Sequence, residues 1–302
     1  MESRKEGRKE ESALGSRPAM EVFDGVAFVR LRCCARRGKY LAAEKDGRTV
    51  CLSGKRGVHN TVWAVQPAEG RDGAPCVLLR GAYGRYLLAS YFPLDFGPGA
   101  DFEVHQEGLY KLPPGYGYQW QAFRRGSSFV LRSASRRYLR AHGKYRRSRK
   151  MVTTTEDTGS SMIRWAIESV PVRATPPFIL DPTRQLTHST DRVPTESEVT
   201  RSIRYIRTRA DGTYDEDKEA WATMQFRSSN LMQLRLTLAC RLGKGWGADQ
   251  TTLCIRGGTL GQLTPLVVDL PIGNDPIDIV IFRIGTQGDN DLQYPDLDAR
   301  TK

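Results

Sequence analysis

Basic residues are concentrated in one short stretch near the middle of the chain. Segment 136–150 contains eight Lys and Arg residues and no acidic residue: Arg136, Arg137, Arg140, Lys144, Arg146, Arg147, Arg149 and Lys150. Tyr138 and Tyr145 are interleaved with them. A positive potential this dense suits an acidic protein surface, nucleic acid or another phosphate-bearing partner, or an importin. The alternative is a solvated loop face without a partner, and both interpretations stay open at this point.

The charge of the whole chain supports a search for an acidic partner in the same region. Residues 21–170 hold 25 Lys and Arg and 13 Asp and Glu, so their net charge is +12. This equals the net charge of the full 302 residues. The remaining residues are close to neutral. A domain with this excess attracts anionic surfaces, so the partner is expected to bind residues 21–170.

The residues that carry most enzyme chemistry show no matching pattern. The four histidines, His59, His105, His142 and His188, are scattered, and the six cysteines form no CxxC pair. Gly243-Lys244-Gly245-Trp246-Gly247 is rich in glycine but lacks the spacing of a phosphate-binding loop. We therefore expect a non-catalytic protein without a cofactor, a metal site or a disulfide framework.

Three stretches of the chain repeat one short phrase. Each copy has an apolar strand, a polar turn, a Tyr-Leu-x-Ala phrase and a strand that begins with tryptophan. The tyrosines lie 46 and 52 residues apart, in the range where a period marks repeated structural units. The repeated residues are Tyr40, Tyr86 and Tyr138, and Trp63, Trp120 and Trp165. Three copies predict a closed threefold object, an all-β β-trefoil over residues 20–170.

The repeated aromatic residues have a structural and a functional interpretation. They could stack on a ligand, but one aromatic residue per repeat is also what a threefold core needs, so we assign them to stability. A ricin-type lectin would carry Gln-x-Trp near the end of each repeat. Here Thr61, Tyr118 and Ile163 occupy the glutamine position. A ricin-type sugar site is therefore not expected, while another lectin-like use of the trefoil stays open.

The second repeat contains an insertion that the other two lack. It runs roughly from residue 91 to 118 and is rich in Gly, Pro and aromatic residues. Such a loop is either a flap packed on the surface or a binding element, and we favour the flap.

The rest of the chain predicts a second, smaller domain. Residues 1–19 are predicted to be a disordered extension, residues 171–199 a Pro-rich linker and residues 285–302 a polar tail. Between residues 200 and 284 we predict a strand hairpin and a helix with Leu231, Leu234, Leu238 and Leu242 on one face. We expect Ser228 or Ser229 to cap this helix and Gly243 to end it. Strands are predicted at 252–256, 266–270 and 277–282. The order ββαβββ indicates an α+β ubiquitin-like β-grasp domain.

The repeated phrase Val-x-Leu-Arg followed by Gly-Lys/Arg-Tyr-Leu-x-Ala resembles the fascin-type β-trefoil. The arrangement from Met20 to about Phe282 is similar to a plant family described as actin cross-linking but otherwise of unknown function, in which a ubiquitin-like domain follows the trefoil. Residues 256–266, Arg-Gly-Gly-Thr-Leu-Gly-Gln-Leu-Thr-Pro-Leu, are also typical of that family.

The resemblance implies association with F-actin, and it implies a cytoplasmic or nucleocytoplasmic plant-type protein. Fascin-like proteins bundle filaments with several trefoils, whereas this chain has one, so cross-linking would need a dimer, two separate patches or help from the second domain. The alternative is a regulatory or stress-response adaptor that binds another acidic protein, nucleic acid or a phosphoinositide.

Overall fold

The three repeats fold into four strands each. The computed structural model describes residues 17–70, 72–94, 101–110, 117–142, 150–173, 175–177 and 200–299. The first repeat holds β1 (Phe28–Cys33), β2 (Tyr40–Ala43), β3 (Val50–Ser53) and β4 (Trp63–Glu69). The second holds β5 (Pro75–Arg80), β6 (Tyr86–Leu94), β7 (Asp101–Glu107) and β8 (Trp120–Arg125). The third holds β9 (Ser128–Ser133), β10 (Tyr138–Ala141), β11 (Val152–Thr155) and β12 (Trp165–Val170).

Six of these strands close into a barrel. The antiparallel pairs run β1–β4, β4–β5, β5–β8, β8–β9, β9–β12 and β12–β1, which returns to the starting strand. The other six form the hairpins β2–β3, β6–β7 and β10–β11, one per repeat. Bridges between Thr49 and His105 and between Cys51 and Met151 join neighbouring hairpins. This arrangement confirms the predicted β-trefoil.

The three tryptophans hold the barrel and the hairpins together. Each is fully buried in the common core. Trp63 donates its indole N–H to the carbonyl of Leu41 (3.2 Å), Trp120 to Leu87 (3.0 Å) and Trp165 to Leu139 (2.9 Å). The acceptor is in each case the leucine of the Tyr-Leu-x-Ala phrase. The repeated phrase therefore encodes one core contact, made three times.

The third repeat departs from the other two at the turn before its tyrosine. Gly38 and Gly84 have φ of 67° and 71°, and the equivalent Arg136 has φ of 61°. It is the one non-glycine residue with positive φ in the described part of the chain. A side chain in this left-handed region costs about 1–2 kcal/mol relative to the right-handed conformation.

Arg136→Gly is therefore expected to stabilise the protein slightly. Relief of the left-handed strain is partly offset by the greater freedom of glycine in the unfolded chain, which leaves a gain of about 0.5–1 kcal/mol. Gly38→Ala is the matched change in the opposite direction, since no atom lies within 4 Å of the added methyl group, and it should cost about 1 kcal/mol. Urea unfolding of the full chain measures both changes, and a loss of stability in Arg136→Gly would contradict the interpretation.

The second domain has the strand order of a ubiquitin-like fold. Its strands are β14 (Arg201–Arg207), β15 (Ala222–Phe226), β16 (Thr251–Arg256), β17 (Leu263–Pro265) and β18 (Ile277–Arg283). They form one sheet in the order β15-β14-β18-β16-β17, with β18 parallel to β14 at the centre. The predicted strand at 266–270 is wrong, because the strand that pairs with β16 is β17, which ends at Pro265. In the segment that follows it, Leu266 and Leu270 are the buried residues.

One helix, α1 (Leu231–Leu242), packs on this sheet. Leu231, Leu234 and Leu238 are buried as predicted, and Gly243 follows the helix with φ of 81°. The cap is Asn230 rather than either predicted serine, because its side-chain oxygen accepts from the amide of Gln233 (2.8 Å). Ser228 instead accepts from the amide of Asn230 (3.0 Å).

Short elements complete the fold. Turns of 3₁₀ helix lie at Met20–Phe23, His59–Thr61, Ser161–Ile163, Lys218–Ala220 and Ala248–Gln250. Within the segment predicted as a polar tail are helix α2 (Gln287–Asn290) and strand β19 (Tyr294–Pro295). Strand β19 pairs with β13 (Val172–Arg173), which directly follows the trefoil. The end of the chain thus adds a strand beside the start of the predicted linker, most of which lies outside the described residues.

A glycine-rich loop of the second domain docks on the trefoil. The backbone of Leu109, in the insertion of the second repeat, donates to Gly257 O (2.7 Å) and accepts from Leu260 N (2.8 Å). A methyl group on Gly257 would lie 2.1 Å from the carbonyl oxygen of Gly84. One on Gly258 would lie 2.5 Å from the backbone of Leu109. The family-typical phrase at 256–266 therefore joins the two domains.

Candidate functional site

The described residues of the basic segment 136–150 lie in two separate places. Arg136 and Arg137 lie in the turn before β10, whereas Lys150 lies beyond the far end of that strand, just before β11. The four residues of β10 span about 13 Å. Lys144, Arg146, Arg147 and Arg149 lie outside the described residues. The structure thus separates the predicted site into two ends of one hairpin.

Arg137 is buried, with 3% of its surface exposed, and so lies below the surface. Its guanidinium donates to the carbonyl of Ser90 (2.9 Å) and to the hydroxyl of Ser135 (3.0 Å). The ring of Phe102 lies 3.7 Å from it, in cation–π contact. Burial lowers the pKa of this guanidinium. Arg137 therefore stabilises the packing between hairpins, which corrects its prediction as a partner-binding residue.

Arg140 pairs with an acidic residue inside the trefoil. Its Nη1 donates to both carboxylate oxygens of Asp101 (2.9 and 3.1 Å). His142 Nε2 lies 2.6 Å from Asp101 Oδ2. Burial acts to raise the pKa of Asp101, but the hydrogen bond with His142 and the charge of Arg140 outweigh it and lower the pKa. The charge of Arg140 is largely compensated, so it contributes less to an external potential than the sequence predicts.

One arginine from a turn of each repeat reaches the hairpin of the preceding repeat. Arg36 donates to the carbonyl of His142 (3.0 Å), Arg85 to that of Gly47 (3.3 Å) and Arg137 to that of Ser90 (2.9 Å). Some of the positive charge of the trefoil thus holds its threefold structure together.

Basic residues of the first and third repeats meet on one side of the trefoil. The amide of Leu52 donates to Lys150 O (2.8 Å), which sets Lys150 beside β3. Tyr40 pairs with Ser53 on the other side of β3, so Lys39 lies near the end of the same strand. Arg36 contacts His142, where the β10–β11 connection begins. We call the residues Arg36, Arg37, Lys39 and Lys150 the basic face.

The first-repeat part of this face is not visible in the basic segment alone. The turn between β1 and β2 contains Arg36, Arg37 and Lys39 and no acidic residue. It lies about a hundred residues before the basic segment. A trefoil sets the turn of one repeat against the hairpin of the preceding one. The threefold repeat in the sequence could therefore have predicted that the basic turn of the first repeat lies near the basic segment of the third.

Exposed aromatic residues lie at the other end of the β10–β11 hairpin. Tyr91 and Phe92, on β6, are 61% and 70% exposed. The guanidinium of Arg137 lies 5.4 Å from the Tyr91 ring. Leu109 and Tyr118 of the same insertion are buried, and Tyr118 donates its hydroxyl to Gly108 O (3.0 Å). The predicted insertion is too wide, because it includes β7, the third strand that every repeat has. Its described residues are exposed at Tyr91 and Phe92 and packed at Leu109 and Tyr118.

Burial shifts the pKa of two thiols and one imidazole of the trefoil. Burial raises the pKa of Cys51 to about 12 and that of Cys76 to about 11, so both are protonated thiols at neutral pH. Burial, with the charges of Arg173 and Arg30, lowers the pKa of His59 to about 4. Among the described residues there is no group of His, Cys, Asp and Glu that could hold a metal ion. Thr61, Tyr118 and Ile163, at the ricin-type glutamine position, are buried.

The chain matches two family models in succession. Residues 20–168 match a β-trefoil domain of unknown function (DUF569), and residues 199–282 match the ubiquitin-like domain associated with it. The chain belongs to this family. The DUF569 family is the one that the Tyr-Leu-x-Ala repeats and the phrase at 256–266 resemble, so the predicted family and the two predicted folds are confirmed. Among curated proteins, no relative matches the chain.

Several solved structures resemble the DUF569 trefoil. A salivary protein from Culex quiquefasciatus is 19% identical, covers 47% of this chain and 92% of its own, and has a TM-score of 0.36. The designed threefold-symmetric protein ThreeFoil is 21% identical, and the match covers 47% of this chain and 97% of ThreeFoil with a TM-score of 0.36. SeviL, solved with asialo-GM1 saccharide, is 8% identical, and the match covers 48% of this chain and 98% of SeviL with a TM-score of 0.34. In the described part of the chain, none of the helices has the length and apolar character needed to cross a membrane.

Proposed function

We propose that this chain is a non-catalytic interaction protein whose trefoil binds F-actin through the basic face. The observation that carries the proposal is the convergence of Arg36, Arg37 and Lys39 with Lys150 on the side of the trefoil where the β10–β11 connection begins and ends. Lys144, Arg146, Arg147 and Arg149, outside the described residues, belong in sequence to that connection. The surface of F-actin is acidic, so this charge suits it.

The protonation of the trefoil side chains supports a non-catalytic role. A nucleophilic cysteine requires a lowered pKa, and burial moves those of Cys51 and Cys76 upward. A general base near neutral pH would require a higher pKa than the value of about 4 at His59. Cys51 and Cys76 are buried in the trefoil.

Charge reversal on the basic face tests the proposal. The triple variant Arg37→Glu, Lys39→Glu, Lys150→Glu changes three side chains with exposed or half-exposed surfaces. Each unfavourable charge in a contact costs about 0.5–1 kcal/mol, so binding should fall roughly tenfold to a hundredfold in total. Co-sedimentation of the full chain with F-actin measures the loss.

A matched control separates the basic face from general positive charge. Arg227→Glu, Lys244→Glu, Arg283→Glu changes the net charge equally at exposed positions of the ubiquitin-like domain. The control variant should pellet with F-actin as the unchanged protein does. If both triple variants lose binding equally, net charge rather than the basic face accounts for the interaction.

A second candidate is an adaptor that binds a different acidic partner, favoured by the dense Lys and Arg run in the β10–β11 connection. We propose a cytoplasmic location for the actin-binding form and nucleocytoplasmic exchange for the adaptor. A fluorescent fusion that leaves the nucleus when Lys144, Arg146, Arg147 and Arg149 become glutamine would favour the adaptor. A fusion that decorates actin filaments and stays cytoplasmic would exclude it.

A further inference from the structure

A cleft of about 310 Å³ lies between the trefoil and the ubiquitin-like domain. Its trefoil wall comes from β1, the 3₁₀ turn at His59, β4 and the end of β5. Its other wall comes from residues 262–267 around β17 and residues 291–295 around β19. Ala27, Val62, Val65, Pro265, Val267 and Leu292 make most of the lining apolar. Apolar clefts of this size, with a few polar groups that converge on them, are typical of small-molecule sites.

Arg80 brings a positive charge to this cleft, and within the described part of the chain no carboxylate pairs with it. Arg80, the last residue of β5, lines the cleft and donates from Nη1 to the carbonyl of Leu263 (2.7 Å). Its Nε is buried and has no hydrogen-bond partner among the residues that the structure describes. The titratable neighbours that act on its charge are Tyr86 and Cys254, neither of which is a carboxylate. Asp291 also lines the cleft, on the wall of the ubiquitin-like domain, but it is not among the groups that act on Arg80. Burial lowers the pKa of the guanidinium, but an arginine stays charged at neutral pH.

A buried cation without a counter-ion is unfavourable by itself. Removing a charge from water costs several kcal/mol unless an opposite charge or enough hydrogen bonds replace the solvent. One carbonyl and one phenol are a weak replacement for a guanidinium, which has five N–H donors. An anion in the cleft would supply the missing charge and accept charge-assisted hydrogen bonds from the guanidinium.

From this geometry we infer that the interdomain cleft binds a small organic carboxylate with an apolar body, its carboxylate on Arg80. The apolar walls favour a single charge over a doubly charged phosphate, because each charge left unpaired on the ligand must lose its water. His59 lines the trefoil wall of the same cleft and is neutral at pH 7, so it offers hydrogen bonding without a second charge. The site is separate from the basic face.

A matched pair of probes tests the inference on the full chain. Phenylacetate and phenylacetamide share one apolar body and differ in charge. With about ten non-hydrogen atoms, phenylacetate should bind with a Kd near 1 mM or below. Titrations followed by amide NMR should show phenylacetate binding at least tenfold tighter, with the largest shifts at residues that line the cleft. Equal binding of the two probes, shifts elsewhere, or no shift at roughly 10 mM would overturn the proposal.

Two variants and one further probe sharpen the test. Arg80→Gln should bring phenylacetate down to the affinity of phenylacetamide. Ala82→Phe fills the cleft without touching the charge and should abolish binding of both, which keeps the test informative if Arg80→Gln fails to fold. Inorganic phosphate should bind more weakly than phenylacetate. Phosphate binding as tight as that of phenylacetate, or binding unchanged by Ala82→Phe, would contradict the proposed ligand class.

Discussion

Gly257→Ala is expected to separate the ubiquitin-like domain from the trefoil. The added methyl group would lie 2.1 Å from the carbonyl oxygen of Gly84 and 2.7 Å from its carbon. Both atoms belong to backbone, so no side-chain rotation can relieve the overlap. The loop must withdraw, which would break the two hydrogen bonds to Leu109 and expose that leucine, now fully buried. We expect a loss of about 3 kcal/mol or more.

Calorimetry of the full chain measures this effect. The unchanged protein should unfold with its two domains coupled, whereas Gly257→Ala should show two separate transitions. Gly57→Ala is the matched control, because no atom lies within 4 Å of its added methyl group and its φ is ordinary. The control should change stability by less than about 0.5 kcal/mol. Two domains that stay coupled in Gly257→Ala would show that this contact does not join them.

Trp120→Ala should destabilise the trefoil by about 4 kcal/mol. The side chain is fully buried in the core of the barrel, so its loss leaves a cavity. It also leaves the carbonyl of Leu87 without its indole donor, and a buried unpaired group costs about 1–3 kcal/mol. Urea unfolding of the purified full chain, followed by circular dichroism, measures the sum.

Trp120→Phe separates the packing from the hydrogen bond. It keeps an aromatic ring in the core and removes the N–H, so it should cost less than half as much as Trp120→Ala. If instead the tryptophans bound a ligand, both variants would lose binding and keep their stability. Unchanged stability in Trp120→Ala would therefore contradict the assignment of the repeated aromatic residues to the core.

The features that could be predicted from sequence are those that depend on local patterns of residues. The Tyr-Leu-x-Ala phrase recurs with a tryptophan strand behind it, and each copy makes the same buried contact, so three copies were enough to predict a trefoil. In the second domain, the leucines of α1 and the apolar strand β18 follow the periods of a helix and a central strand. The order of these elements then indicated the ubiquitin-like fold.

The features that could not be predicted depend on contacts between distant residues. The basic segment showed eight charges, but burial of Arg137 under Phe102 and pairing of Arg140 with Asp101 depend on the second repeat. Docking of Gly257 on Leu109 joins residues far apart in the chain, and nothing in either phrase alone indicates the other. The helix cap is an exception, because Asn230 directly follows the two predicted serines and only local geometry selects it.

The proposal that the trefoil binds F-actin is tested most directly by co-sedimentation of the full chain at low and at near-physiological salt. At about 0.15 M salt the Debye length is roughly 8 Å, so attraction between distant surface charges is largely screened. We predict pelleting that persists at this salt and is lost in the variant with Arg37, Lys39 and Lys150 changed to glutamate. Pelleting at low salt only, or none at all, would contradict actin binding and leave the adaptor as the function to pursue.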